Sequence, residues 1–191
     1  MKFDYLIVGG GVAGHRCAEE IRKRDPHGTI ALISDEAHRL YSRVLLPHYL
    51  LGKILREKVF LVKPEWYAER NITLIAPALA EALDCDKRVA RLLDGRELSF
   101  EKLFLGIGVR TRVVESAAER LFSFRHLDDT DRLHTALQQL SMLPIEARRT
   151  GIYGAGFMSA EFLNLFSTYE ARIELFFRGE RYLGRMIGEA G

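Results

Sequence analysis

Through the first hundred positions apolar residues come in short blocks, each closed by glycine, proline or charge. Tyr5 to Val8 predicts a buried strand, and Val12 to Lys23 a helix. Asp25 to Gly28 is a turn, and Thr29 to Ile33, rich in β-branched residues, is a second strand. Pro64 to Arg70 predicts a short helix with proline in its first turn. Ile72 to Ile75 is a strand, followed by Ala78 to Asp84, a turn at Cys85 to Arg88, and Val89 to Leu93. Asp94 and Gly95 close a hairpin whose returning edge is Glu97 to Phe100. Leu103 to Ile107 is a separate apolar strand. From Thr111 the character changes. Asp128 to Leu143 predicts an amphipathic helix with Leu133, Leu137 and Leu140 on one face and Asp128 or Asp129 as N-cap. Gly151 to Tyr153, Ala160 to Tyr169 and Arg172 to Phe177 then give strand, helix and strand.

Two of these strand-to-helix junctions carry glycine turns. Gly9, Gly11 and Gly14 stand in the spacing G-x-G-x-x-G between the first strand and the first helix. The first glycine allows the tight turn, the second lets a phosphate approach bare backbone, and the third lets helix and strand pack closely. The helix start at Val12, Ala13 and Gly14 offers unpaired N–H groups and the positive end of the helix dipole to an anion. Asp35 stands 21 residues after Gly14, the distance at which an acid meets a ribose hydroxyl. Together these features predict a dinucleotide-binding β-α-β unit. About 145 residues later the pattern recurs at Gly154 and Gly156, with Ser159 where a third glycine would stand.

Composition narrows the classes. A net charge of +2 is too small to argue for a nucleic-acid surface. No apolar run approaches a membrane span, and the four-residue run near the start lacks a signal peptide's layout, so a cytoplasmic protein is expected. Cys17 and Cys85 are far apart, which excludes a disulfide framework and a C-x-x-C motif. His15, His27, His38, His48, His126 and His134 show no ligand spacing, so no metal site is expected. Cys17, His126 and His134 read as structural. Arg178 to Arg185 reads as a solvated face.

These residues resemble the FAD-dependent pyridine nucleotide-disulfide oxidoreductase superfamily, within it the NAD(P)H reductases of the ferredoxin, rubredoxin and nitrite reductase type. The resemblance rests on Gly9, Gly11 and Gly14, Asp35, Tyr41 to Leu46, Asp94 and Gly95, Leu103 to Gly108, and Gly154, Gly156 and Glu161. It implies an α/β fold: a Rossmann-like FAD-binding domain of three-layer β/β/α character over residues 1–110, and the start of a second Rossmann-like NAD(P)-binding domain over 111–191. It implies that Gly9, Gly11, Val12, Ala13 and Gly14 approach the FAD pyrophosphate, with Asp35 on the adenosine ribose and Arg43 facing the pyrophosphate charge. Ala80 would lie beside adenine, Gly108 near the phosphates, and Gly154 and Gly156 on the pyrophosphate of NAD(P)H. Hydride would pass from NAD(P)H to FAD, and electrons on to an acceptor protein or metal centre. Whether the chain forms a homo-oligomer stays open.

Departures from the family pattern carry their own expectations. Both cysteine arrangements used for thiol chemistry at the flavin are missing. Gly106 to Gly108 lacks a threonine that relatives carry. His48 stands where many relatives have a lysine near the flavin, and flavin neighbour and ordinary loop histidine are equally open for it. Arg178 stands near where NAD-preferring relatives have an acid, which leans towards a 2′-phosphate. Family members are about twice as long as this chain, as expected of three domains rather than two. An N-terminal part of such a reductase, or a nucleotide-binding fragment without catalysis, is therefore expected.

Overall fold

The computed structural model describes residues 1–111 and 120–184. The expected boundary at residues 110–111 borders the undescribed stretch 112–119, and Arg185, the end of the arginine-rich run, also lies outside the described residues. The chain divides into two compact units, Met1–Ser42 with Arg56–Arg112, and Arg43–Leu55 with Val113–Gly191.

The first unit is built on β1 (Lys2–Val8), α1 (Val12–Arg24) and β2 (Ile30–Ile33), with β1 and β2 parallel. Adding β3 (Ile72–Ile75), β4 (Ala80–Asp84), β5 (Val89–Leu92) and β6 (Glu97–Leu105) gives one six-stranded sheet, ordered β3-β2-β1-β6-β5-β4. All four residues of β2 are buried, because the strand is covered on both faces. Ile30 and Leu32 pack with Ile7, Ala18, Trp66 and Ile72 on the side of α1. Ala31 and Ile33 pack with Leu6, Val8, Ala90, Leu92, Leu98 and Phe100 on the opposite face. A mixed α/β architecture with a parallel-rich sheet is the one expected.

Two local expectations are corrected. The stretch Glu97 to Phe100 and the expected strand from Leu103 are one strand, β6, which ends at Leu105 rather than Ile107 and pairs antiparallel with β5 through Glu97–Ser99 and parallel with β1 from Ser99 to Leu105. The charged pair Glu101 and Lys102 interrupts the apolar pattern but not the backbone. Glu101 bridges Lys2 and Arg88 at 2.7 and 2.9 Å, and the Lys102 ammonium lies 5.1 Å from the Tyr5 ring centre. Pro64 to Arg70 is not a continuous helix but two 3-10 turns, Pro64–Trp66 and Ala68–Arg70, the second ended by left-handed Asn71. Tyr67 between the turns puts its carbonyl on the amides of Arg70 and Ile72.

The second unit contains α2 (Leu46–Leu50), α3 (Leu127–Ser141), β7 (Arg149–Tyr153), α4 (Phe157–Ser167) and β8 (Arg172–Phe176). Its core joins Leu50, Leu133, Leu137, Ile152, Leu165 and Phe166. β7 and β8 pair in parallel across α4, so the strand-helix-strand pattern expected there is present. Helix α3 is capped two or three residues earlier than expected. His126 is the N-cap, and Asp129, at the third helical position, accepts the His126 and Arg125 amides at 3.0 and 3.2 Å. The carboxylate works back from inside the helix, as in the second half of a capping box. Asp129→Ala is expected to cost about 1 kcal/mol in urea unfolding; a change within error would mean the cap is dispensable.

Candidate functional site

The first glycine turn sits where β1, β2 and β6 end together. Gly9 continues the sheet by donating its N–H to Ile33 O at 2.9 Å, and Gly106 donates to Val8 O at 2.8 Å. Gly9 has φ +121°, and a Cβ there would run into the Gly106 carbonyl. A Cβ on Gly14 would run into the Gly9 carbonyl, and one on Gly10 into the Ser34 hydroxyl. Backbone from three strands is therefore packed at contact distance around one turn, which only glycine permits. A Cβ on Gly106 would reach Gly14 N and the Ala13 Cβ, so Gly9, Ala13, Gly14 and the end of β6 are brought together.

The helix start is left open to an anion. Gly11 is the N-cap of α1 and supplies no side chain, and the first turn carries no acid. The first N–H groups of a helix have no acceptor within it, and those of α1 stand at the positive end of its dipole. A diphosphate matches this donor set in charge and in its need for close backbone approach.

Asp35 follows β2 by two residues and is exposed. Its neighbour Glu36 is half-buried; its carboxylate takes the Tyr41 hydroxyl as donor, and its own amide donates to Ser34 Oγ at 3.2 Å. Sequence spacing alone does not separate the two acids, and the structure differs between them in burial and in hydrogen bonding. Ala80 opens β4 opposite Leu92. The segment before it is tied to β2 by Ala78 N–H on Ser34 O at 2.7 Å. Gly108 has φ +65° and is exposed beyond β6.

The other expected site residues belong to the second unit. Arg43 opens a 3-10 turn, and His48 is exposed on α2. Tyr49 donates to Asp131 at 2.8 Å and stacks on His134 at 5.7 Å, which makes both rings structural. The second glycine turn repeats the first in backbone path but not in packing: Gly154, with φ +143°, donates to Phe176 O at 2.8 Å and Gly156 caps α4, while a Cβ at Gly154 would meet open space. Ser159 is buried, and its hydroxyl donates to Gly156 O at 2.5 Å. Cys85 is an exposed free thiol, whereas burial pushes the Cys17 thiol up from its usual range, away from the reactive thiolate. Among the described residues no helix is long and apolar enough to cross a membrane, and no cluster of His, Cys, Asp or Glu is placed to hold a metal.

Two parallel strand-glycine-helix-strand units in one chain define a protein of the two-dinucleotide class. The chain belongs to the pyridine nucleotide-disulphide oxidoreductase family, whose model matches residues 3–190. It is 30% identical over 167 residues to putidaredoxin reductase of Pseudomonas putida, covering 82% of this chain and 37% of that one. It is also 30% identical over 155 residues to the epsilon subunit of the NADH-dependent phenylglyoxylate dehydrogenase of Aromatoleum evansii, covering 80% and 35%. Among solved structures, the covalent putidaredoxin reductase–putidaredoxin complex matches with a TM-score of 0.85 at 26% identity, over 97% of this chain and 45% of that one. The NADH:rubredoxin oxidoreductase of Clostridium acetobutylicum shares the fold, with a TM-score of 0.85 at 21% identity over 100% and 48%. The chain thus spans between about a third and a half of the length of these relatives.

Proposed function

We propose that the first unit binds FAD through the turn Gly9 to Gly14, and that the chain is the nucleotide-binding part of an NAD(P)H-dependent flavoprotein reductase. The observation that carries this is the convergence of β1, β2 and β6 on a turn with no room for a Cβ at Gly9, Gly10 or Gly14, beneath a helix start with no side-chain cap and no acid. In this proposal the first-turn amides of Val12, Ala13 and Gly14 hold the diphosphate. The acids after β2, Asp35 and Glu36, take the ribose hydroxyls, and backbone near Ala80 and Gly108 flanks the nucleotide. Gly154 and Gly156 receive the NAD(P)H diphosphate in the same manner. Bound FAD would supply the hydride-accepting chemistry, while this chain's residues bind and orient. The roles of Arg43 and His48 rest on the family resemblance alone, as does the 2′-phosphate preference drawn from Arg178. The acceptor is proposed to be a small redox protein, as the names of the putidaredoxin and rubredoxin reductases suggest.

A yellow chain that reduces a dye with NADH supports the reductase. A chain that binds FAD but turns over nothing favours the non-catalytic nucleotide-binding alternative. A colourless chain that takes up no added FAD overturns both. Replacing Cys17 and Cys85 by serine is expected to leave FAD content unchanged, because neither thiol adjoins the turn's ligand-facing amides; a large loss would reopen thiol chemistry.

A further inference from the structure

His15 is 3% exposed, buried directly behind the glycine turn in the first helix. Its Nδ1 lies 3.1 Å from Gly11 O, and its Nε2 lies 2.7 Å from the Tyr67 hydroxyl. A carbonyl can only accept, so Nδ1 carries the hydrogen. Nε2 then holds a lone pair, and the Tyr67 O–H donates to it. The Leu40 N–H in turn reaches the Tyr67 oxygen at 3.4 Å. Gly11 O therefore receives two donors from one residue, the His15 amide at 3.1 Å and the His15 ring. Trp66, tilted at 5.2 Å, and Tyr67, edge-on at 5.5 Å, enclose the imidazole.

This matters because of the peptide that Gly11 O belongs to. A trans peptide is planar, with its C=O and N–H pointing in opposite directions. The partner of Gly11 O in that plane is Val12 N–H, the first amide of α1. Anchoring the carbonyl inward fixes that amide outward, towards the seat of the diphosphate.

We propose that His15 is a positioning residue of the dinucleotide site, holding Gly11 O with Nδ1–H and the Tyr67 hydroxyl with Nε2 so that Val12 N–H is aimed at the diphosphate. The proposal rests on the FAD reading. Burial holds the imidazole below its ordinary pKa, against the opposing pull of Gly11 O, Glu19 and Gly10 O, and burial also raises the Tyr67 phenol, against the Leu40 N–H and then Arg39, which pull it down. Both groups therefore keep the neutral forms that the relay needs at neutral pH.

The test compares a ligand that has a diphosphate with one that lacks it. In the full chain, ADP-ribose affinity is measured by calorimetry and adenosine affinity by NMR titration. His15→Phe, which keeps the ring packing, is expected to weaken ADP-ribose about tenfold while adenosine changes less than twofold. Tyr67→Phe, which spares the bond to Gly11, is expected to give a smaller loss of the same selectivity. His15→Asn, with an amide N–H near the Nδ1 position, is expected to recover most of the affinity. These two variants carry the test if His15→Phe melts in circular dichroism. Nitrogen-15 NMR is expected to find the Nδ1–H tautomer. Unchanged ADP-ribose binding in His15→Phe, equal losses for both ligands, or an Nε2–H tautomer would each overturn the proposal and leave FAD binding standing. A wild-type chain that binds neither ADP-ribose nor FAD would sink the FAD reading, and this inference with it.

Discussion

Gly9→Ala is expected to abolish FAD binding and to cost about 2–4 kcal/mol of folding stability. Two independent effects add at this position. The backbone has φ +121°, which a side chain adopts only with strain, and the new Cβ would meet the Gly106 carbonyl. That carbonyl cannot yield cheaply, because Gly106 N–H is bonded to Val8 O and its residue is packed against Ala13 and Gly14. Relief has to come from the turn, and moving the turn displaces the first-turn amides from any diphosphate. Gly95→Ala is the control. It has φ +85° but open space around the new Cβ, so it carries the strain without the collision and is expected to cost about 1 kcal/mol. Urea unfolding and FAD titration of both variants decide the matter. Equal costs at Gly9 and Gly95 would show that close packing of the three strand ends is not what makes Gly9 necessary.

The contrast between those glycines also shows what a sequence can display. Both strand-glycine-helix-strand units were legible, because strand burial, turn geometry and helix start are each local and each has its own residue signature. The second unit reproduces even the bond from its first glycine to the end of the following strand, Gly154 to Phe176 matching Gly9 to Ile33. Continuity of β6 was not legible. Glu101 and Lys102 look like a break until Lys2, Arg88 and Tyr5 are placed beside them. The helix expected from Pro64 to Arg70 failed for a related reason, since Tyr67 uses its carbonyl to connect two turns and the start of β3. The His15–Tyr67 bond was beyond reach, because its partners are 52 residues apart and neither stands in a motif. Local devices are written in short stretches, whereas the groups that hold them in place come from wherever the fold brings the chain back.

The two acids after β2 pose that problem within two residues, and their substitution is the second large effect expected. Glu36→Ala is expected to weaken FAD about 10- to 100-fold, the range for charge-assisted hydrogen bonds, and Asp35→Ala less than threefold. Spacing from Gly14 favours neither. Order does. Glu36 is half-buried and held at both ends, its carboxylate by the Tyr41 hydroxyl and its amide by Ser34 Oγ, while Asp35 is exposed. A carboxylate already oriented loses less side-chain freedom when it receives ribose hydroxyls, so more of each hydrogen bond appears as affinity. Tyr41→Phe is expected to give an intermediate loss, because it leaves the acid but frees one end. Fluorescence titration of FAD with the three variants measures all of this. A larger loss in Asp35→Ala than in Glu36→Ala would return the ribose to Asp35 and show that freedom of approach outweighs prior order at the end of β2.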